Sequence, residues 1–221
     1  MDQKTIELAI ALHGHLAPGI ALGLRMTDLA LSRLDRKKGD KHLIGISETA
    51  RCLADAMQAA TGCTLGHGNA FVEDQGKLAI TIGDAITGRG VRVGLRENAA
   101  TFSGLMYKWM MRSGKLTHAE EEELGNQLLN LNEEFLRFQD VKICRKPDFE
   151  KSTIVKCERC GELIPESLTV KEDEKFFCRA CTGDVYFRLL DEQENIYYDF
   201  HNHSNSIYFR RTNIWKDVSH K

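Results

Sequence analysis

Four cysteines set the narrowest limit on how this chain can fold. They stand as two pairs, "CERC" at 157–160 and "CRAC" at 178–181, with seventeen residues between the pairs. Each Cys-x-x-Cys turn presents two sulfurs to one ion, and two such turns complete a tetrahedral four-thiolate zinc site. Gly161 follows the first pair and Thr182-Gly183 the second, which allows the tight turns. Cys157, Cys160, Cys178 and Cys181 are therefore assigned as ligands of one structural Zn2+. The competing reading, two redox dithiols, lacks the strand-to-helix setting of a thioredoxin-like motif. A unit this small buries little apolar surface, so the metal is expected to hold it folded.

The remaining length demands more than this module. With 221 residues there is room for one core domain in front of it. The chain is 42% hydrophobic and 28% charged, with a formal charge of -2. No bulk positive field points to nucleic acid or to an anionic membrane. Between Lys156 and Arg188 basic and acidic residues nearly balance, which argues against a phosphate-tracking surface there. From Leu8 to Leu24 no Asp, Glu, Lys or Arg occurs. That segment is short for a membrane span, carries two histidines and a proline, and has no basic lead of the kind an export signal carries. A cytoplasmic location with no membrane partner is expected. The odd count of seven cysteines suits metal ligands and free thiols rather than a disulfide framework.

Periodicity orders the core. Residues 5–12 read as a short helix that ends near His13, because Gly14 and Pro18 both disfavour its continuation. Pro18 suits a first helical position, and Ile20, Leu24, Thr27, Leu31 and Leu34 repeat behind it at helical spacing. "HLIGISE" (42–48) reads as a strand and "ARCLADAMQAATG" as a helix stopped by Gly62. "CTLGHGNAFVEDQG" reads as a glycine-rich loop. "KLAITIG" (77–83) and "GVRVGLRE" (90–97) read as strands, and 102–113 as a helix. Thr117 with Glu120 forms a capping box for a helix that carries Leu124, Leu128, Leu131, Phe135 and Phe138. "DVKICRK" (140–146) reads as a last strand, closed by Pro147. This mixed order predicts an α+β core over 1–148, a four-cysteine module over 152–185 and a C-terminal tail over 191–221. The tail, rich in Asn, His, Tyr and Phe, reads equally as two strands or as an arm to a partner.

A second concentration of chemistry lies near the start. "HGHLAPG" places His13 and His15 in a loop ahead of a helix N-terminus, where imidazoles can hold a metal, move a proton or sit beside a bound anion. Cys52 falls at a helix start, a position that favours a thiolate. Cys63 opens the glycine-rich loop, His67 lies within it, and Lys77 follows Gly76 at a strand start. Asp55 and Gln58 share one helix face. Each of these groups also has a plain structural reading, as a hydrogen-bonded turn histidine, a small buried hydrophobe or a solvated polar group.

Taken in order, "HGHLAPGIALG", "CLADAMQAATGCTLGHGN" and "DQGKLAITIGD" resemble the family named for the E subunit of formylmethanofuran dehydrogenase (FmdE), over about residues 8–145. The four-cysteine module resembles the treble-clef zinc finger that some members carry behind this core. The resemblance implies an α+β core that forms a homodimer. It also implies accessory service to one-carbon redox metabolism, since the redox centres of the methanogenic dehydrogenase lie on other chains of that complex. The family motif is His-Gly-His-x-Cys-Pro-Gly, and here its cysteine position is Ala17. His67 stands where relatives often carry lysine. Cys52 and Cys63 still match the second motif. The implied pocket gathers His13, His15, Cys52 and Cys63 as acid/base or nucleophilic groups, with His67 and Lys77 as ligand contacts. Ala17 weakens the case for a second metal there, since a methyl group cannot replace a thiolate.

The residues leave three readings open. One is an enzyme that uses the histidine loop. Another is a non-enzymatic adaptor whose finger docks on a redox complex or, against the charge balance, on nucleic acid. The third is a structural subunit with a vestigial pocket, for which Ala17 is the best evidence.

Overall fold

The computed structural model describes residues 1–144 and 152–184, and the chain divides near residue 150 into two units. The first unit opens with α1 (Gln3–His13). Asp2 caps it by accepting the Thr5 N–H at 3.0 Å, and Gly14, at φ 101°, ends it. Helix α2 (Pro18–Arg33) starts at Pro18 as the sequence dictates. Eleven of its sixteen residues are buried, so it is the central helix rather than a surface one. Strand β1 (Leu43–Ser47), α3 (Cys52–Thr61) and β2 (Ala70–Val72) form a crossover with β1 and β2 parallel. Then come β3 (Ala79–Asp84), β4 (Arg89–Leu95), α4 (Gly104–Met110), α5 (His118–Leu128) and β5 (Leu136–Lys142).

These strands make one five-stranded sheet in the order β2-β1-β3-β4-β5, antiparallel except at the β1–β2 edge. Ile80 and Ile82 of β3 and Val91 and Val93 of β4 join Leu22, Met26, Leu53 and Leu124 in one buried core. The fold class is thus α+β, as the order of elements predicted. Among the described residues no helix is long and apolar enough to cross a membrane.

Three expectations need correction. The helix that starts at Thr117 stops at Leu128, and Phe135 and Phe138 do not continue it. Asn130 and Asn132 interrupt the run, and residues 136–142 gain a seven-residue ladder against β4 that a helix would forfeit. The last strand accordingly spans Leu136–Lys142 rather than 140–146, and Arg145, Lys146 and Pro147 lie outside the described residues. The glycine-rich stretch after α3 is not all loop. Ala70–Val72 pair with Gly45–Ser47, a strand too short to show a period in sequence. The 191–221 tail lies outside the described residues.

In the second unit β6 (Ile154–Lys156) pairs with β7 (Leu163–Pro165), and β8 (Thr169–Glu172) pairs with β9 (Lys175–Cys178). Among its described residues only Cys157 is fully buried. Apolar burial therefore does little to hold this unit, and the cysteine cluster is its organising centre.

Candidate functional site

The β6–β7 turn carries Cys157 and Cys160. The end of β9 and the 3-10 turn after it carry Cys178 and Cys181. All four sulfurs lie within 4.8 Å of one another. A tetrahedral ion with sulfur bonds near 2.3 Å spaces its ligands by roughly 3.8 Å, and Cys160 Sγ and Cys178 Sγ stand 3.9 Å apart. The Cys178 N–H points at Cys157 Sγ from 3.3 Å, and the Cys181 N–H at Cys178 Sγ from 3.4 Å. Backbone N–H groups of Cys160 and Cys178 pull the Cys157 thiol down to about 6, and the neighbouring Cys178 thiol with burial pushes Cys181 up to about 12. One thiolate is ready while the sulfurs around Cys181 oppose further charge, a conflict that a bound dication removes. The donor set fits a closed metal site. Among the described residues this quartet is the one group so arranged.

The first unit assembles a different cluster. His13 ends α1 and His15 follows in the loop. Asp55 comes from the first turn of α3, and His118 and Glu121 come from the first turn of α5. His13 Nδ1 lies 2.8 Å from Asp55 Oδ2, and His15 Nε2 lies 3.6 Å from Glu121 Oε2. The His13 and His15 rings are 5.4 Å apart between centroids, and His15 and His118 are 6.0 Å apart. Three imidazoles thus form a row with a carboxylate at Asp55 and another at Glu121. His15 stays 42% exposed, so its ring can meet a ligand from solution.

Cys52 belongs to the same region. Its sulfur packs on the start of α2, where a Cβ added to Gly19 would meet Cys52 Cβ at 2.8 Å and Sγ at 3.1 Å. Burial pushes its thiol up, and Asp55 and Glu121 add to the effect. Its place at a helix start suggests a thiolate, but desolvation and two carboxylates outweigh the helix end. Ala17 is buried against Ala9, Ile20 and Ala56, so the family's cysteine position is filled here by core packing.

The other sequence-predicted residues go elsewhere. Cys63 lies just beyond α3, eleven residues and a helix length of about 15 Å from Cys52, and its thiol is pushed up by burial. Cys63 and His67 line a separate cavity of about 520 Å³. Lys77 donates to Gln75 Oε1 at 2.8 Å and meets neither group. Sequence reasoning missed His118 and Glu121. The capping box at Thr117 fixes them three residues apart on one helix face, but no spacing rule ties that turn to a loop a hundred residues earlier.

An α+β core with a histidine–carboxylate row, followed by a four-thiolate metal centre, defines a metal-binding protein of two units. The family model described as "FmdE, Molybdenum formylmethanofuran dehydrogenase operon" matches residues 12–145, and the chain belongs to the FmdE family. It is 33% identical over 194 residues to a probable S-adenosyl-L-methionine-binding protein of Archaeoglobus fulgidus, covering 79% of this chain and 51% of that one. The chain therefore spans about half the length of that curated relative. A crystal structure of a tungsten formylmethanofuran dehydrogenase FmdE-like protein from Syntrophus aciditrophicus superposes with a TM-score of 0.65 at 30% identity, covering 83% of this chain and 92% of that one.

Proposed function

We propose that this FmdE-family protein is a zinc protein accessory to one-carbon redox metabolism, whose core binds a small ligand at the His13–His15–His118 row and exchanges protons with it. The observation that carries the reading is the convergence of three imidazoles and two carboxylates from α1, α3 and α5. His15 is the acid/base group, because its ring is the most open of the loop pair. Asp55 orients His13 from behind, as a carboxylate does for an imidazole that must present its other nitrogen. Cys52 serves as a neutral wall. Zinc is the metal of the second unit because four thiolates in a closed tetrahedron suit it best. On the same reading the module is a treble-clef finger and the chain works as a homodimer in the cytoplasm.

The test is metal content by mass spectrometry together with a ligand titration of the full chain. About one zinc per chain, lost in Cys157→Ser, supports the finger. The archaeal relative's name makes S-adenosyl-L-methionine the first ligand to offer. Binding that disappears in His13→Ala/His15→Ala, with the fold intact, supports the core site. Zinc retained in Cys157→Ser, or binding untouched by the histidine changes, overturns the respective half.

A second reading has its own observation. In the finger unit Ile154 is 59% exposed and Leu163 72% exposed on the β6–β7 ribbon. An adaptor would dock through such a face. Deleting residues 152–184 should then cost the chain its protein partner in a pull-down.

A further inference from the structure

The cavity at the far end of α3 is distinct from the histidine row. It measures about 520 Å³, within the range of small-molecule sites. Asp40, Lys41, His42, Cys63, His67 and Asn69 line it. A smaller cavity of about 220 Å³ shares Asp40, Lys41 and His42 and adds Arg36, so the two meet along the segment 40–43.

Hydrogen-bonding capacity on this wall is lopsided. Asn69 is spent at both ends of its amide, accepting the Thr64 N–H at 3.0 Å and donating to the Leu43 carbonyl at 3.3 Å. Asp40 accepts the Lys37 N–H at 3.2 Å. At the end of α3 the Thr61 carbonyl takes the Gly39 N–H and the Gln58 carbonyl takes the Gly62 N–H, each at 2.9 Å. Among the described residues the side chains of Lys41, His42 and His67 have no hydrogen-bond or ion-pair partner. One carboxylate, Asp40, lies on this wall with Oδ2 already engaged, and against it stand three side chains with unspent donors, Lys41, His42 and His67. Leu43, Ala85 and the buried Cys63 supply an apolar floor.

We propose that this cavity binds a small molecule with an anionic head group, a phosphate or a carboxylate, held at the Lys41, His42 and His67 wall with its body against Leu43, Ala85 and Cys63. The proposal does not depend on the reading of the histidine row, which lies at the opposite end of α3.

Histidine-ring NMR on the full chain tests it, with inorganic phosphate and succinate as probes at fixed ionic strength. The expected result is a saturable shift of the His42 and His67 ring signals, with His13, His15 and His118 still. Lys41 is exposed, so Lys41→Met should keep the fold while weakening the effect roughly tenfold, the loss of one charge-assisted contact. Tighter binding of phosphate assigns a phosphoryl head group, and tighter binding of succinate a carboxylate. Signals of His42 and His67 that do not move, or that move equally in Lys41→Met, overturn the proposal. So does a response confined to the His13–His15–His118 row.

Discussion

His13 Nδ1 and Asp55 Oδ2 lie 2.8 Å apart across 42 residues of sequence. The contact fixes the chemistry of the ring. A carboxylate accepts, so Nδ1 carries a proton and Nε2 is the nitrogen turned to whatever enters the row. Asp55→Asn can turn its amide either way and loses that preference. Long-range proton–nitrogen NMR should show His13 as the Nδ1–H tautomer in the native chain and as a mixture in Asp55→Asn. Because the pair is partly exposed, the stability cost should stay within about 1 kcal/mol. A larger loss would make the contact structural rather than orienting.

A second charged pair is structural. Arg92 Nε donates to Glu48 Oε1 at 2.5 Å, Nη2 to Oε2 at 2.7 Å, and Nη1 to Gln139 Oε1 at 2.9 Å. The Glu48 side chain is 9% exposed. Removing it strands a forked cation on the sheet, so Glu48→Ala should cost about 2–4 kcal/mol in urea denaturation. Replacing both partners by apolar residues should cost less than Glu48→Ala alone.

These two pairs show what could and could not be read from residues alone. Asp55 and His13 were each visible as polar groups near helix ends, yet nothing local says that α1 and α3 meet. The helix starts at Pro18 and Thr117 and the stop at Gly62 were legible because capping chemistry is local. The four-cysteine centre was legible because its ligands come as two short-range pairs. The family resemblance implies one pocket for Cys52 and Cys63 because both match its second motif. Their separation follows from the length of α3, and their raised thiols follow from burial that no local pattern displays.

The contact between α2 and α3 depends on two glycines. A Cβ on Gly19 would stand 2.8 Å from Cys52 Cβ, and one on Gly23 would stand 2.7 Å from Ala56 Cβ and 3.1 Å from Leu53 Cα. Both neighbours belong to a packed helix and cannot swing away. Alanine improves helix propensity by about 1 kcal/mol, but the overpacking outweighs it. Gly23→Ala should lose about 1–3 kcal/mol net in denaturant unfolding, and Gly19→Ala a similar amount, since rotating Cys52 Sγ leaves its Cβ in the way. A stabilised Gly23→Ala would mean that α3 shifts freely on α2.

Metal removal should separate the two units. The second has Cys157 as its one fully buried described residue, whereas the first has a continuous core through β3, β4, α2 and α5. A strong chelator at neutral pH should therefore collapse the amide dispersion of residues 152–184 and leave that of the core intact. Dispersion retained over 152–184 after the metal is gone would show that the hairpins stand without it.

Asp84 governs part of the acid limb. It ends β3 and holds the turn into β4. Its Oδ1 accepts the Ile86 N–H at 2.8 Å and the Thr87 N–H at 2.9 Å, while Arg36 Nη2 donates to Oδ2 at 2.5 Å. The Thr87 N–H, then that of Ile86 and the Arg36 charge, hold its carboxyl below the ordinary aspartate value. A folded-state value below the unfolded one means that the unfolded chain binds the proton more readily. The contribution is then fully present above about pH 4, the unfolded value, and is lost as pH falls through the lower folded value. Asp84→Asn keeps the shape and removes the titration. Its stability deficit against the native chain should be constant from pH 7 to about pH 5 and should shrink below pH 4. Urea midpoints measured from about pH 2.5 to 7 decide the matter. A deficit that stays constant to the acid end would show that Asp84 acts through shape and not through charge.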